Sequence, residues 1–220
     1  MKTVLVLVFT SALFISCQKE LNFDIVAGNS ACKACSYIPF CDGSVYVYSD
    51  TTGGVGIDVT DTVNIIRDTS IDGKVYQKFS NALTDGFYNC ESGVSTVLLL
   101  NVLSAGGAIP RLEQTLLKAN SPVGATWSNT VSTPVADIVY NSRIEEKGIS
   151  KTLLGVTYND VIHVRSVLST AIGGIPIVLG ESHFYYANNI GLIESITSSS
   201  GITGPPVVVN HRVLKTYSIP

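Results

Sequence analysis

From residue 44 to the C-terminus the chain is a succession of short β-prone runs, and nothing else in the sequence narrows the fold as far. Val, Ile, Thr and Tyr recur between Gly, Asn, Asp and Ser punctuation in "SVYVYS", "TVNIIRD", "KVYQKFS", "VSTVLLLNV", "DVIHVRSVL", "IPIVLGESHFYYA" and "PVVVNHRVLKTYSI". Helical periodicity is nearly absent. The best helical composition, "RLEQTLLK" at 111–118, is short and follows Pro110, so it reads as a helical turn or a strand. Roughly ten or more strands with short connections predict an all-β chain. The expected fold is a strongly curved antiparallel sheet, a half-barrel or open barrel built from hairpins with little helix; a β-sandwich is the alternative. "VSTVLLLNV", "IPIVLG" and "PVVVNH" are apolar on successive residues, so both faces of those strands need cover, as a curled sheet or a second layer would provide.

"SIDGKVYQKF" (70–79) and "TLLGVTYNDV" (152–161) echo each other, Gly73 and Tyr76 matching Gly155 and Tyr158, which points to hairpins as the unit. A two-residue Asp72-Gly73 turn would set Arg67 opposite Lys78, a like-charge pair costing up to ~1 kcal/mol. A three-residue loop with Gly73 left-handed instead pairs Arg67 with Gln77 and Ile65 with Phe79, and that register is the one expected.

The chain has 220 residues, 45% of them apolar, enough for one sizeable core. Charged residues make up 14%, with 14 basic against 17 acidic and no long run of either sign, so no footprint for nucleic acid is present. No G-x-S-x-G elbow, phosphate loop or H-E-x-x-H occurs. His163, His183 and His211 each sit among apolar neighbours and read as strand residues rather than bases. Asp58 with Asp61, or Glu145 with Glu146, would make a carboxylate pair for hydrolysis or calcium, but exposed acidic loop residues are far commoner. The reading is therefore of a non-enzyme with no catalytic residues, no metal ligands and no cofactor. Tyr46 and Tyr48 share a strand face, while Tyr185 and Tyr186 point to opposite faces.

The N-terminus departs from this pattern. Lys2 precedes an apolar run at 4–15, "VLVLVFTSALFI", which matches the n- and h-regions of a secretory signal. It is shorter than the roughly 20 residues a spanning helix needs. "LFIS" then leads into Cys17, which resembles the lipobox of bacterial lipoproteins. That resemblance implies a signal peptide over 1–16, a palmitate-type lipid anchor on Cys17, a flexible tether over 17–31 and a single β domain over 32–220. Two or more acyl chains hold a protein stably, at ~0.8 kcal/mol per buried methylene, so the expected partner is a membrane, reached through the N-terminal anchor. Gln18-Lys19-Glu20 lacks the Asp of inner-membrane retention and resembles acidic export signals of surface lipoproteins. The expected location is the outer membrane, on its periplasmic face or at the cell surface.

Beyond the anchor stand Cys32, Cys35, Cys41 and Cys90. An even number in an exported chain reads as two disulfides, in any of three connectivities, each of which brings Cys90 back to the 32–41 segment. "CKAC" has redox or half-zinc spacing, but no strand-to-helix unit or nearby His accompanies it.

"SPVGATW" (121–127), "IEEKGISKTLLGVTYNDVIHV" (144–164) and "HFYYANNIGLIES" (183–195) together resemble segments of a family of Gram-negative outer-membrane lipoproteins without an assigned activity. The resemblance implies a domain like the curved half-barrel of the lipoprotein carrier and receptor proteins. The function expected is a non-catalytic binding or scaffold module with an apolar concave site for a lipid-like ligand, its lining residues unknown. The alternative is a surface glycan- or protein-binding accessory presenting a flat row of Tyr with Trp127, and a hydrolase using scattered carboxylates comes third.

Overall fold

The structure is a computed structural model and describes residues 23–25, 35–52, 58–81, 85–104, 107–133, 136–172, 175–200 and 206–220. Cys17, Cys32 and the whole of 1–16 lie outside the described residues. The strands are β1 (Phe23–Ile25), β2 (Val45–Thr52), β3 (Asp58–Ile71), β4 (Lys74–Ser80), β5 (Asp85–Glu91), β6 (Val94–Ser104), β7 (Gly107–Lys118), β8 (Thr126–Ser132), β9 (Asp137–Leu153), β10 (Val156–Ile172), β11 (Ile175–Ala187), β12 (Gly191–Ser199) and β13 (Val207–Ser218). No helix occurs among the described residues, and "RLEQTLLK" lies in β7 as strand. β1 pairs with the end of β3, within the stretch read from sequence as tether.

Twelve strands follow the order β7-β6-β5-β4-β3-β2-β13-β12-β11-β10-β9-β8, every neighbour antiparallel. The chain's two ends meet at the β2–β13 ladder, from Val45 opposite Ser218 to Thr52 opposite Asn210. β7 and β8 are left as the two edges of the path. The sheet thus curls past a half-barrel into an almost closed barrel with one unsealed seam. The open-barrel expectation is met, and among the described residues no second sheet forms a sandwich.

The seam falls between strands that are consecutive in the chain because their connection is held from both sides. Ala119 N–H donates to the Gly93 carbonyl (2.8 Å), while Gly124 N–H donates to Ile144 (2.8 Å) and Ile144 N–H to Ala125 (3.0 Å). One end of the connection follows the β5–β6 turn and the other follows β9, so β7 and β8 splay apart. Side chains replace the missing ladder. Thr115 N–H donates to Asn129 Oδ1 (2.9 Å), and the Thr115 carbonyl accepts from Asn129 Nδ2 (3.0 Å) and Trp127 Nε1 (3.0 Å). The Asn129 carboxamide stands where a neighbouring peptide would, satisfying groups that are costly to leave bare at a sheet edge.

Asp72-Gly73, Ser92-Gly93 and Leu154-Gly155 each carry positive φ at both positions, the two-residue turn whose twist matches that of the strands. The three-residue loop expected at Gly73 is therefore corrected: Ile71 pairs with Lys74, and Arg67 does stand opposite Lys78. A bulge between Ile65 and Arg67 then restores the expected Ile65–Phe79 pair. The like-charge cost is relieved because Lys78 Nζ pairs with Asp85 at 2.7 Å, and this ammonium holds the Asp85 carboxyl below its ordinary range.

Residues 35–41 enter the barrel as a plug. Ile38 packs with Tyr88, Trp127 and Tyr186, the Phe40 ring lies 4.8 Å from that of Tyr88, and Tyr46 Oη donates to the Pro39 carbonyl (2.9 Å). A Cys35–Cys90 disulfide, Cα atoms 6.0 Å apart, staples the plug to β5. Cys41 is buried and also disulfide-bonded. Of the three stretches apolar on successive residues, "VSTVLLLNV" is covered on both faces, since Val97 faces the interior while the adjacent Leu98 packs in an outer cluster with Ile71, Tyr76 and Phe87. The cover expected for "IPIVLG" and "PVVVNH" is corrected, because Ile175, Ile177, Val178, Leu179, Val207 and Val208 are exposed. The Cys35–Cys90 bridge closes a loop of 55 residues, worth about 4 kcal/mol in the chain-entropy model. Cys35→Ala with Cys90→Ala should lower the urea-unfolding free energy by about that amount, and an unchanged midpoint would contradict the plug's role.

Candidate binding site

Alternation places Tyr48, Val63, Phe79, Tyr88, Val97, Leu99, Phe184 and Tyr186 on the inward face of their strands. Between them, the plug's Ile38 and Phe40, and Leu116 and Leu192, lies a cavity of about 280 Å³, near the lower end of small-ligand pockets. Gly86 makes room for one wall, since a methyl there would collide with Phe79 and Leu99.

One corner of this cavity is polar. Arg212 donates from Nε (3.1 Å) and Nη2 (2.9 Å) to Asp50 and from Nη2 to Asp61 (2.8 Å), and its guanidinium sits 5.2 Å from the Tyr48 ring centre. Asn210 donates to Asp50, and Asn81 to Asp61. The Asp61 carboxylate is thus an ion-pair partner rather than half of a hydrolytic pair; the Asp58 side chain is outside the described residues. Burial pushes the Tyr46, Tyr48, Tyr88 and Tyr186 phenols well above their ordinary range, so they stay neutral hydrogen-bonding groups.

A second, smaller pocket of about 90 Å³ adjoins the first at Leu116, Phe184 and Tyr186, directly behind the seam. Its polar lining is Gln114, Thr115, Asn129, Tyr140, Ser142, Ser166 and Ser182. Ser142 Oγ donates to Ser166 Oγ (3.1 Å), and Ser182 Oγ shares a hydrogen bond with Thr197 Oγ1 (3.0 Å).

The outer face carries a network the sequence reading missed. His163 Nε2 and His183 Nδ1 lie 2.9 Å apart; His163 Nδ1 meets Glu146 at 3.2 Å, His183 Nε2 meets Glu181 at 3.4 Å, and Glu181 pairs with Arg165. Tyr185 stacks on His163 with ring centres 4.4 Å apart, opposite in direction to the inward Tyr186, as alternation requires. Glu145 approaches Arg143 at 3.9 Å, so Glu145 and Glu146 each have a basic partner. His211 and Lys151 both bond Glu194, at 2.9 and 2.7 Å. The signal was the period-2 spacing in "HVR" and "ESHFY", which becomes a network only once the β10–β11 register is known. Among the described residues no group of three or more His, Cys, Asp or Glu side chains has metal-binding geometry. Trp127, the ring on which a sugar-stacking row would depend, is 7% exposed and turned inward.

No known family model matches the chain, and no curated protein matches it. Two solved structures share the fold. One, named as a lipoprotein from Parabacteroides distasonis ATCC 8503, is 14% identical with a TM-score of 0.52, covering 84% of this chain and 99% of that one. The other, named as an exported protein with a YmcC-like fold from Bacteroides fragilis NCTC 9343, is 11% identical with a TM-score of 0.50, covering 84% of this chain and 100% of that one. The chain is similar to both in fold.

Burial lowers the His163 pKa below its ordinary value, an effect larger than the opposing pull of Glu146 and Glu145 and reinforced by His183. A folded pKa below the unfolded ~6.5 means that the unfolded chain takes up the proton first. His163's share of stability is therefore full above pH ~6.5 and is lost as pH falls through that value toward the folded pKa. Stability measured by urea unfolding between pH ~7.5 and ~5.5 should decline on acidification, and His163→Gln should flatten that decline. A slope unchanged in the variant would contradict the assignment.

Proposed function

We propose that this protein is an exported lipoprotein, anchored at the outer membrane through Cys17, whose barrel binds a lipid-like ligand without transforming it. The observation that carries the binding reading is the interior cavity of about 280 Å³, walled mainly by aliphatic and aromatic side chains and bordered by an unsealed seam. Apolar surface enclosed in this way either stays empty at a cost or takes up an apolar guest. The inward phenols are held neutral and the inward carboxylates are engaged by Arg212, which supports binding over acid–base chemistry. The two fold neighbours, named as a lipoprotein and an exported protein, support an envelope location.

Binding is tested with the mature chain carrying Cys17→Ser, exported behind a cleavable signal, and the neutral probe N-phenyl-1-naphthylamine. Saturable fluorescence enhancement is expected at micromolar probe, about −8 kcal/mol. Gly86→Ala, by driving the Phe79 ring inward, should weaken it at a stability cost of about 1–3 kcal/mol. No enhancement, or enhancement indifferent to Gly86→Ala, would remove the cavity reading. For the anchor, wild-type chain in its own host should partition with membranes and incorporate labelled palmitate, whereas Cys17→Ala should do neither as a processed protein. Equal palmitate incorporation by the variant would rule Cys17 out.

A further inference from the structure

The pocket behind the seam limits what the polar end of a ligand can be. Its polar lining consists of hydroxyls and carboxamides, and none of its residues carries a formal charge. A carboxylate, phosphate or ammonium placed there would be desolvated without a counter-charge, which is heavily penalised in an interior. Arg212 is no free counter-charge, because across the larger cavity it is already paired with two carboxylates of the protein, Asp50 and Asp61.

Uncharged hydroxyls, by contrast, find partners. A serine hydroxyl gives one donor and two acceptor sites. The Ser142–Ser166 contact uses one O–H of two and leaves the Ser166 donor for a guest, while Ser182, which shares its hydrogen bond with Thr197, adds acceptor capacity to the lining. Ser142 and Ser166 are both buried, so this donor is not already committed to bulk water. At about 90 Å³ against about 280 Å³, this pocket is the smaller of the two adjoining spaces and so the one suited to a compact head rather than a chain. The shared wall of Leu116, Phe184 and Tyr186 leads from this pocket into the apolar cavity.

We infer that the hydroxyl-lined pocket behind the β7–β8 seam is a head-group subsite for an uncharged, hydroxyl-bearing amphiphile of the monoacylglycerol class, whose chain occupies the adjoining apolar cavity. The inference rests on the lipid-binding reading above and names the ligand class for that cavity. It requires that charge on the head weaken binding, and that removing pocket hydroxyls weaken only ligands with a hydroxylated head.

The test is displacement of N-phenyl-1-naphthylamine from the mature Cys17→Ser chain by three ligands of equal chain length: monolauroylglycerol, laurate and dodecylamine. Monolauroylglycerol should displace the probe at a concentration lower by about tenfold than either charged ligand. Ser166→Ala combined with Ser182→Ala should erase that advantage while leaving probe affinity at the wild-type value, which also shows that the variant is folded. Laurate or dodecylamine equalling monolauroylglycerol on the wild-type chain would overturn the head-group assignment and leave lipid binding standing. A preference for monolauroylglycerol that survives in the double variant would overturn the pocket's part in it. Failure of the wild-type chain to bind the probe or any of the three would overturn both readings.

Discussion

The bonds made by the Thr115 peptide at the seam are the constraint around which the barrel is organised. A sheet edge left bare exposes donors and acceptors to any passing strand, and a fully laddered barrel shuts its interior behind backbone hydrogen bonds. This chain takes neither course. Asn129 and Trp127 satisfy both backbone polar groups of one residue, Thr115, and the rest of the β7–β8 contact carries no backbone hydrogen bond among the described residues. Closure at this point depends on side chains, which change rotamer far more readily than a ladder unzips. That the hydroxyl-lined pocket lies immediately behind these same residues ties the weakest stretch of the wall to the interior space.

Interior charge is handled differently from interior space. Removing a guanidinium and two carboxylates from water is expensive, and the arrangement persists because Arg212 bonds both carboxylates while Asn210 and Asn81 each donate to one of them. Arg212 on β13 bonds residues of β2 and β3, so the cluster crosses the ladder where the chain's two ends meet. Its chemical consequence is that the cavity presents no unspent cationic donor at Arg212 Nε or Nη2 and no ionisable phenol.

The extent to which the sequence disclosed this structure follows from what each feature depends on. Strand character and the Gly-containing turns are local properties, and they were legible in runs such as "KVYQKFS" and in the matching Asp72-Gly73 and Leu154-Gly155 pairs. Register is not local. A two-residue turn followed by a bulge at Ile66 reaches the same Ile65–Phe79 pair as the three-residue loop, and only the relief of Lys78 by Asp85, a residue of the next strand, makes the first route acceptable. The His163–His183 contact and the Trp127–Thr115 bond depend on strands brought together by the whole sheet, so spacing in the chain could hint at the former and was silent on the latter. The cavity itself is least legible, because a Leu or Phe facing a void and one facing a neighbour look alike in sequence.

Strands apolar on both faces call for cover outside as well as inside; the outer surface of β3–β7 supplies some of it with charged residues used for their stems and their pairings, whereas Ile175, Val178 and Val207 on β11 and β13 stay exposed. Over Ile71, Tyr76, Phe87 and Leu98 lie Lys74, Arg111 and Glu113, linked to each other and to Asp72 at 3.0–3.5 Å. On the other half of the barrel, Lys151 near the end of β9 reaches Glu194 of β12 and sits 3.5 Å from the Tyr185 ring centre, which folds the β9–β10 tip back across β11. Gly148 and Asp160, both at positive φ, flank the irregular pairing where this fold-back occurs. The histidine–glutamate network belongs to the same surface: the ring nitrogens of His163 and His183 are paired with one another and with carboxylates. Outer polar groups are thus engaged in covering and fastening the sheet. Inside the barrel, Ser142 donates to Ser166 and Ser182 shares a hydrogen bond with Thr197, so inner hydroxyls fasten neighbouring strands in the same way.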